Sequence, residues 1–503
     1  MSLSLQSSAF LMSSLPVELL EIIFKYCYLG YLRDADDDNW EELSLSDTIR
    51  TFPYNLAAVD PSWNAILLRH RDYWTGLTRA IFNVDSKTPT HIDDAKTLLG
   101  YMLDGADPYY KFHVDIIRRS KANPDDAAEK DRVKNLMDLL APEIRRCQSF
   151  LIDVHASSSL PSLTTYFQDL ITSCVVSLEY LCDVDDSEDT VSNEPYDYGF
   201  AMQGSHITSM VLDGGNFRRN TAWLRRQTKL KSLTISHLSH GATNSAELDV
   251  RQALATVLSM VTPIYWGAPA NLKSLKFRDI DFAPRDSMRE AFSIFMRVPN
   301  NTSLEYLSFE DVDPRFLEDL TGSIFLNADR DLQVAHPAPL ELHLSCGASS
   351  RDIPVNVQSW QYARLVLEGY DQAHLTASYP FDQESFLSSE LHLINCPGFT
   401  DSDLEILSKI DPETKAPLFS TNLKHLKLTD CHGFSIQALK DMVAARATDW
   451  QKRSRMAGWR SRHLNSLEVS GYGTPLSDKD IDWFKTHVKD FSWDGSLSSA
   501  FYK

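Results

Sequence analysis

Two rhythms of apolar and polar residues run along this chain. The first is helical and opens in LPVELLEIIFKYC, residues 15–27. Glu18, Glu21 and Lys25 recur at spacings of three and four, which gathers the polar groups on one stripe of a helix. Leu15, Val17, Leu19, Leu20, Ile22, Ile23, Phe24, Tyr26 and Cys27 cover most of the remaining circumference. Pro16 and Glu18 suit a helix start, where a missing N–H costs nothing and a carboxylate meets the positive end. Ser14 is the expected cap. So wide an apolar surface exceeds what a helix needs to bury one face on its own core. After a polar, acidic stretch to about residue 44 the helical rhythm returns, with Leu56, Val59, Trp63, Ile66 and Leu67 spaced by three and four. Pro61 breaks this stretch into two short helices. A helical unit of this size is marginal for folding alone, so it is expected to dock on the following chain or on a partner.

The second rhythm begins at residue 109 and consists of short apolar strands on the template L-x-x-L-x-L. It is met by YYKFHV (from Tyr109), CQSFLI (Cys147), ITSMVL (Ile207), LKSLTI (Leu230), LKSLKF (Leu272) and LEYLSF (Leu304). It returns in YARLVL (Tyr362), LKHLKL (Leu423) and LNSLEV (Leu464), with looser forms from Leu178, Leu340 and Ser388. Two late copies agree further. Cys396, Gly398, Phe399 and Leu404 match Cys431, Gly433, Phe434 and Leu439 in spacing. A strand, an inward cysteine and a helix starting near Asp401 or Ser435 make one turn of a right-handed coil, so the expected fold is α/β. It combines a small N-terminal all-α unit with an irregular solenoid of leucine-rich-repeat type, built on a curved parallel sheet. VRQALATVLSMV, SMREAFSIFMRV and PRFLEDLTGSIF have the periodicity of helices on its outer side. Cys396 and Cys431 are expected to be inert core residues.

Charge narrows the function. The net charge of −20, with acidic runs at 34–42, 123–131 and 183–194, repels phosphate backbones and argues against a general nucleic-acid binder. Seven scattered cysteines, with no close CxxC pair, suggest neither a disulfide framework nor a zinc site. The opening MSLSLQSSAFLMSS lacks the basic region of a secretory signal, and no apolar stretch has the length of a membrane span. An intracellular protein, cytoplasmic or nuclear, is expected. Phosphate-binding glycine loops, H-E-x-x-H and G-x-S-x-G are all missing from the sequence, so no catalytic residue, cofactor or metal ligand is assigned. His237 and His240 lack a third ligand type, and His113 reads as a strand residue rather than a base.

LPVELLEIIF followed by Leu56, Val59, Trp63, Ile66, Leu67 and Trp74 resembles the F-box pattern, L-P-x-E-L-L-x-x-I-F and then L-x-x-V-x-x-x-W. With the repeats behind it, the chain resembles the F-box proteins that carry leucine-rich repeats, a type common in fungi. The long acidic insertion after the first helix and the DPS at 60–62 depart from the pattern. The resemblance implies an F-box-like domain at 10–80, a linking helix at 81–108, repeats at 109–495 and a tail at 496–503. It also implies a non-catalytic substrate receptor of a cullin-based ubiquitin ligase. Leu15, Pro16, Leu19, Leu20, Ile23, Phe24, Val59 and Trp63 would then hold the adaptor subunit, and the repeats would hold a target protein. An interaction scaffold without a ligase role is the alternative. Target contacts are placed at Lys424 and Lys427, and at Arg453 and Arg455 in the basic segment 446–463. Arginine there offers bidentate geometry to phosphate, while the competing reading is the end of a repeat helix.

Overall fold

Strands that neighbour one another in the chain also neighbour one another in the sheet, and the described pairings are parallel. The structure, a computed structural model, describes residues 15–34, 52–74, 77–104, 111–118, 126–167, 175–184, 186, 206–224, 227, 229–238, 272–280, 304–312, 341–345, 364–370, 388–410, 423–453, 464–471 and 475–494. These fall into two compact units that divide between Val211 and Leu212. The fold is α/β, because each parallel pair needs a crossover long enough to return the chain to the same edge.

The first unit starts with three helices, α1 (Val17–Asp34), α2 (Tyr54–Ala57) and α3 (Pro61–Leu67). The DPS segment has a local explanation. Asp60 caps α3 by accepting from Ser62 N at 2.7 Å, and Pro61 fills the first helical position. Phe24 packs edge-on against Trp63, ring centres 5.3 Å apart, and both are buried with Leu20 and Leu67. Trp74 Nε1 donates to Leu67 O at 3.1 Å and closes this small core.

The sheet then begins at β1 (Arg79–Asn83), followed by α4 (Ile92–Leu103), β2 (Phe112–Ile117), α5 (Glu129–Leu140), β3 (Cys147–Ala156), β4 (Ser177–Val184) and β5 (Ser209–Asp213). The first strand thus lies in the segment that sequence reasoning divides between the helical domain and a linking helix. Its residues are buried on both faces from Ala80 to Asn83, so RAIFN shows none of the alternation by which a half-exposed strand is recognised. The outer edge of β1 is bonded at its two ends. Tyr54 Oη donates to Arg79 O, Thr90 N donates to Asn83 O at 2.8 Å, and Asn83 N donates to Thr90 Oγ1 at 2.8 Å.

The second unit carries β6 (Ser232–Leu238), β7 (Ser274–Ile280), β8 (Tyr306–Val312), β9 (Glu341–Ser345), β10 (Arg364–Glu368), β11 (Glu390–Ile394), β12 (His425–Thr429), β13 (Ser466–Ser470) and β14 (Asp490–Asp494). All the segments that matched the strand template are strands, and β1 and β14 are added at the two ends. Leu365, Leu391, Leu426 and Leu467 pair across successive strands, as do Leu367, Leu393, Leu428 and Val469. Each is at most 1% exposed, so the two rows form one continuous apolar spine. Against it pack α6 (Asp401–Ser408), α7 (Ile436–Arg453) and α8 (Asp478–His487) through Leu404, Leu407, Leu439, Met442, Val443 and Phe484. The other three segments read as outer helices lie outside the described residues.

A further regularity marks the strand ends. Asp279, Asp311, Asn395 and Asp430 have φ of 51°, 52°, 46° and 53°, and Gly369 and Gly471 have 78° and 71°. Each stands two residues after the second inward-facing apolar residue of its strand, where the chain turns through the left-handed region that Asp, Asn and Gly tolerate best. At Gly471 a Cβ would also come within 1.9 Å of Asp430 Oδ1. Gly471→Ala is therefore expected to destabilise the second unit by about 1–2 kcal/mol. Gly100→Ala in α4, where nothing lies within 4 Å, should stabilise by about 0.5–1 kcal/mol. Chemical denaturation of the two variants checks the opposite signs.

Candidate functional site

α1 presents two unlike apolar faces. Leu20 and Phe24 are 3% and 0% exposed, whereas Leu19, Ile22, Ile23, Tyr26 and Leu29 are 37–73% exposed. At 100° per residue those five span an arc of about 120° opposite the buried side. Tyr26, at 73%, stands at the centre of that arc. Water-facing apolar residues scattered singly are ordinary, but five on one arc of one helix form a patch of the kind that marks an interaction site. Glu18, Glu21 and Lys25 border it on one flank, and Cys27 is exposed on the other.

Of the residues assigned to the adaptor from sequence, the structure exposes Pro16, Leu19, Ile23 and Val59 and leaves Leu15 partly covered. Leu20, Phe24 and Trp63 are buried in this chain, where they form the core that holds α1 against α3. Ile22, Tyr26 and Leu29, which sequence reasoning did not assign, are exposed on the same arc. Apolar residues over most of the circumference do not say which arc turns inward, and packing against Trp63 decides it.

The sheet face opposite the helices is polar. On β7 and β8, Glu310 accepts from Lys276 and, at 2.8 Å, from Arg278 Nε. Burial alone would raise the Glu310 carboxyl, but those two cations hold it below its usual range. His343 joins Tyr306 Oη (3.2 Å) to Glu368 (3.1 Å). Arg364 sits between Glu341 at 3.1 Å and Glu390 at 2.5 Å. Lys427 bonds Glu468 at 2.8 Å. Lys424 precedes β12 and is held through its backbone, donating to Ser389 O and accepting from Asn465 N. Of the basic segment, Arg446 is 1% exposed and donates through Nε to Leu407 O at 3.1 Å, with burial pushing its pKa down to about 10. It is a core residue. The Arg453 side chain and Arg455 lie outside the described residues, as does most of the segment.

No protein-family model matches the chain, and no curated protein is significantly similar to it.

On the first unit's sheet, His113 Nδ1 lies 2.6 Å from Ser149 Oγ, and Arg79 bonds Asp115 at 3.0 Å. Burial, opposed by Arg79, raises Asp115 to about 6, while burial and Arg79 lower His113. The His113–Ser149 contact has the distance of a catalytic pair, but among the described residues no carboxylate is hydrogen-bonded to His113 to orient it. Cys396 and Cys431 are buried, their thiols directed at Leu367 O (3.3 Å) and Leu393 O (3.6 Å). The hydrogen bond with Cys396, together with burial, raises the Cys431 thiol. The described residues include no group of three or more His, Cys, Asp or Glu placed to hold a metal, and no described helix is long and apolar enough to cross a membrane.

His392 is half-buried, and burial with the nearby Lys427 and Arg364 lowers its pKa to about 4. Its folded value thus lies below the ordinary 6.5 of an unfolded chain. Between those values the unfolded state binds the extra proton, so stability falls as pH drops from about 6.5 towards 4. His392→Gln is expected to flatten that part of the second unit's stability profile, read by urea titrations at pH 7 and 5.

Proposed function

We propose that the protein is a non-catalytic substrate receptor of a cullin-based ubiquitin ligase. Its N-terminal helices dock on the adaptor subunit, and its sheet, read as a solenoid of leucine-rich-repeat type, holds a target protein. The observation that carries the reading is the exposed arc of Leu19, Ile22, Ile23, Tyr26 and Leu29 on α1, backed by the buried Leu20, Phe24 and Trp63. A helix that lays an apolar face into a partner's groove is a general recognition mode, and it explains why this helix carries more apolar surface than its own core covers. The resemblance of LPVELLEIIF, Val59 and Trp63 to the F-box pattern supports the adaptor subunit as that partner. No residue of the chain performs bond chemistry in this reading. Tethering raises the target's effective concentration beside ubiquitin carried by other subunits. The cytoplasm or nucleus is the setting that this role requires.

The test is reconstitution. The full chain is expected to co-purify with the adaptor subunit in a stoichiometric complex. A model target fused to a segment bound by the sheet should then receive ubiquitin from the assembled ligase. Capture without transfer would leave a scaffold, and failure of capture would remove the ligase role.

A further inference from the structure

The polar face of β9 to β14 has a charge pattern that distinguishes between classes of target. In register along these strands stand Glu341, Arg364, Glu390, His425, Ser466 and Asp490, and beside them His343, Val366, His392, Lys427, Glu468 and Ser492. Glu368 adds a third row. Arg364 and Lys427 are the basic residues of these described rows apart from histidines, and both are already committed. Arg364 is held between two carboxylates and Lys427 by one. Carboxylates outnumber them, since Glu341 and Glu390 share one guanidinium and Asp490 is exposed beyond them. His392, depressed by burial and by its basic neighbours, is uncharged at neutral pH.

A phosphate entering here would meet a surplus of carboxylates and would have to strip them from Arg364, whose fork is already filled on two sides. An ammonium or guanidinium would meet the opposite situation. Glu341 and Glu390 are each about a third exposed, so they can accept a further cation without being excavated. Complementary charge of this kind sets partner choice and approach more than raw affinity. We infer that the face of β9 to β14 takes a basic, unphosphorylated segment of the target. This rests on the reading of the protein as a target-binding receptor.

The probes are two pools of fluorescent peptides of about twelve residues with identical flanks. One pool carries Lys or Arg at every third position, and the other carries phosphoserine there. Binding to the full-length chain is followed by anisotropy at near-physiological salt. The basic pool is expected to bind at least about tenfold more tightly than the phosphoserine pool. Glu341→Gln/Glu390→Gln should weaken basic-pool binding about fivefold or more. Glu405→Gln/Asp482→Asn, which removes two exposed carboxylates from α6 and α8, should leave it unchanged. A tighter phosphoserine pool, equal losses from the two double variants, or no binding of the basic pool would overturn the inference. Adaptor capture measured on the same samples separates the two ideas. Intact capture with reversed peptide preference removes the basic-segment inference alone, whereas lost capture removes the ligase reading.

Discussion

Leu426→Asp is expected to abolish cooperative folding of the second unit's C-terminal strands. Leu426 is 1% exposed and pairs with Leu391 on one side and Leu467 on the other, at the middle of the apolar spine. Truncating a leucine at such a site costs about 2–5 kcal/mol, and a carboxylate without a partner adds its own desolvation cost. Because each turn of a repeat array is stabilised chiefly by its neighbours, the damage spreads along the strands rather than staying at β12. Lys427, one residue further, points to the polar face, and Lys427→Ala removes one partly exposed ion pair with Glu468. That change should cost no more than about 1 kcal/mol. Thermal and urea melts of the two variants supply the comparison. If Lys427→Ala proved as damaging as Leu426→Asp, the assignment of the two faces would be wrong.

The second large effect concerns α1, where adjacent residues should fail in opposite ways. Leu19→Asp and Ile23→Asp place a charge on an exposed arc, so the folded chain loses little. In the docked state the charge would be buried without a partner, and adaptor capture should fall by more than about thirtyfold, the equivalent of ~2 kcal/mol at a central anchor. Leu20→Ala, by contrast, should destabilise the helical part by about 2–5 kcal/mol, since Leu20 lies in its core. Capture by Leu20→Ala should recover where the helices remain folded. Pull-down alongside circular dichroism separates loss of contact from loss of fold. Unchanged capture by both Asp variants would remove the docking proposal.

What could be read from the sequence depended on how many faces of an element meet water. Strands such as HLKLT and SLEVS have one apolar and one polar face, and the alternation marked them correctly. β1 is covered on both faces and gave no such signal. β14, DFSWD, carries Phe491 and Trp493 where its neighbours carry Leu and Val, so it fell outside a leucine template. α1 had the reverse difficulty. Its apolar residues exceed one face, and sequence spacing alone could not separate the arc that Trp63 covers from the arc left exposed. Arg446 opens the basic segment 446–463, yet its guanidinium bonds Leu407 O, a long-range contact with no local sequence mark. The left-handed positions carry a recurring Asp, Asn or Gly in six of the described repeats, a polar mark that a template of apolar positions does not contain.

The contacts along β1 bear on how the chain can be cut. Tyr54 bonds Arg79 O, and Thr90 bonds the N–H and C=O of Asn83, on the outer side of that strand. Removal of everything before residue 77, the obvious way to make a form that binds target but not ligase, would strip Arg79 O of the Tyr54 hydroxyl that donates to it. An open parallel edge with apolar neighbours is a template for pairing with a second chain, so such a truncated protein would tend towards self-association. Its titration of targets would then mix competition with aggregation. The substitution Ile23→Asp keeps that edge sealed and gives the cleaner separation of the two activities.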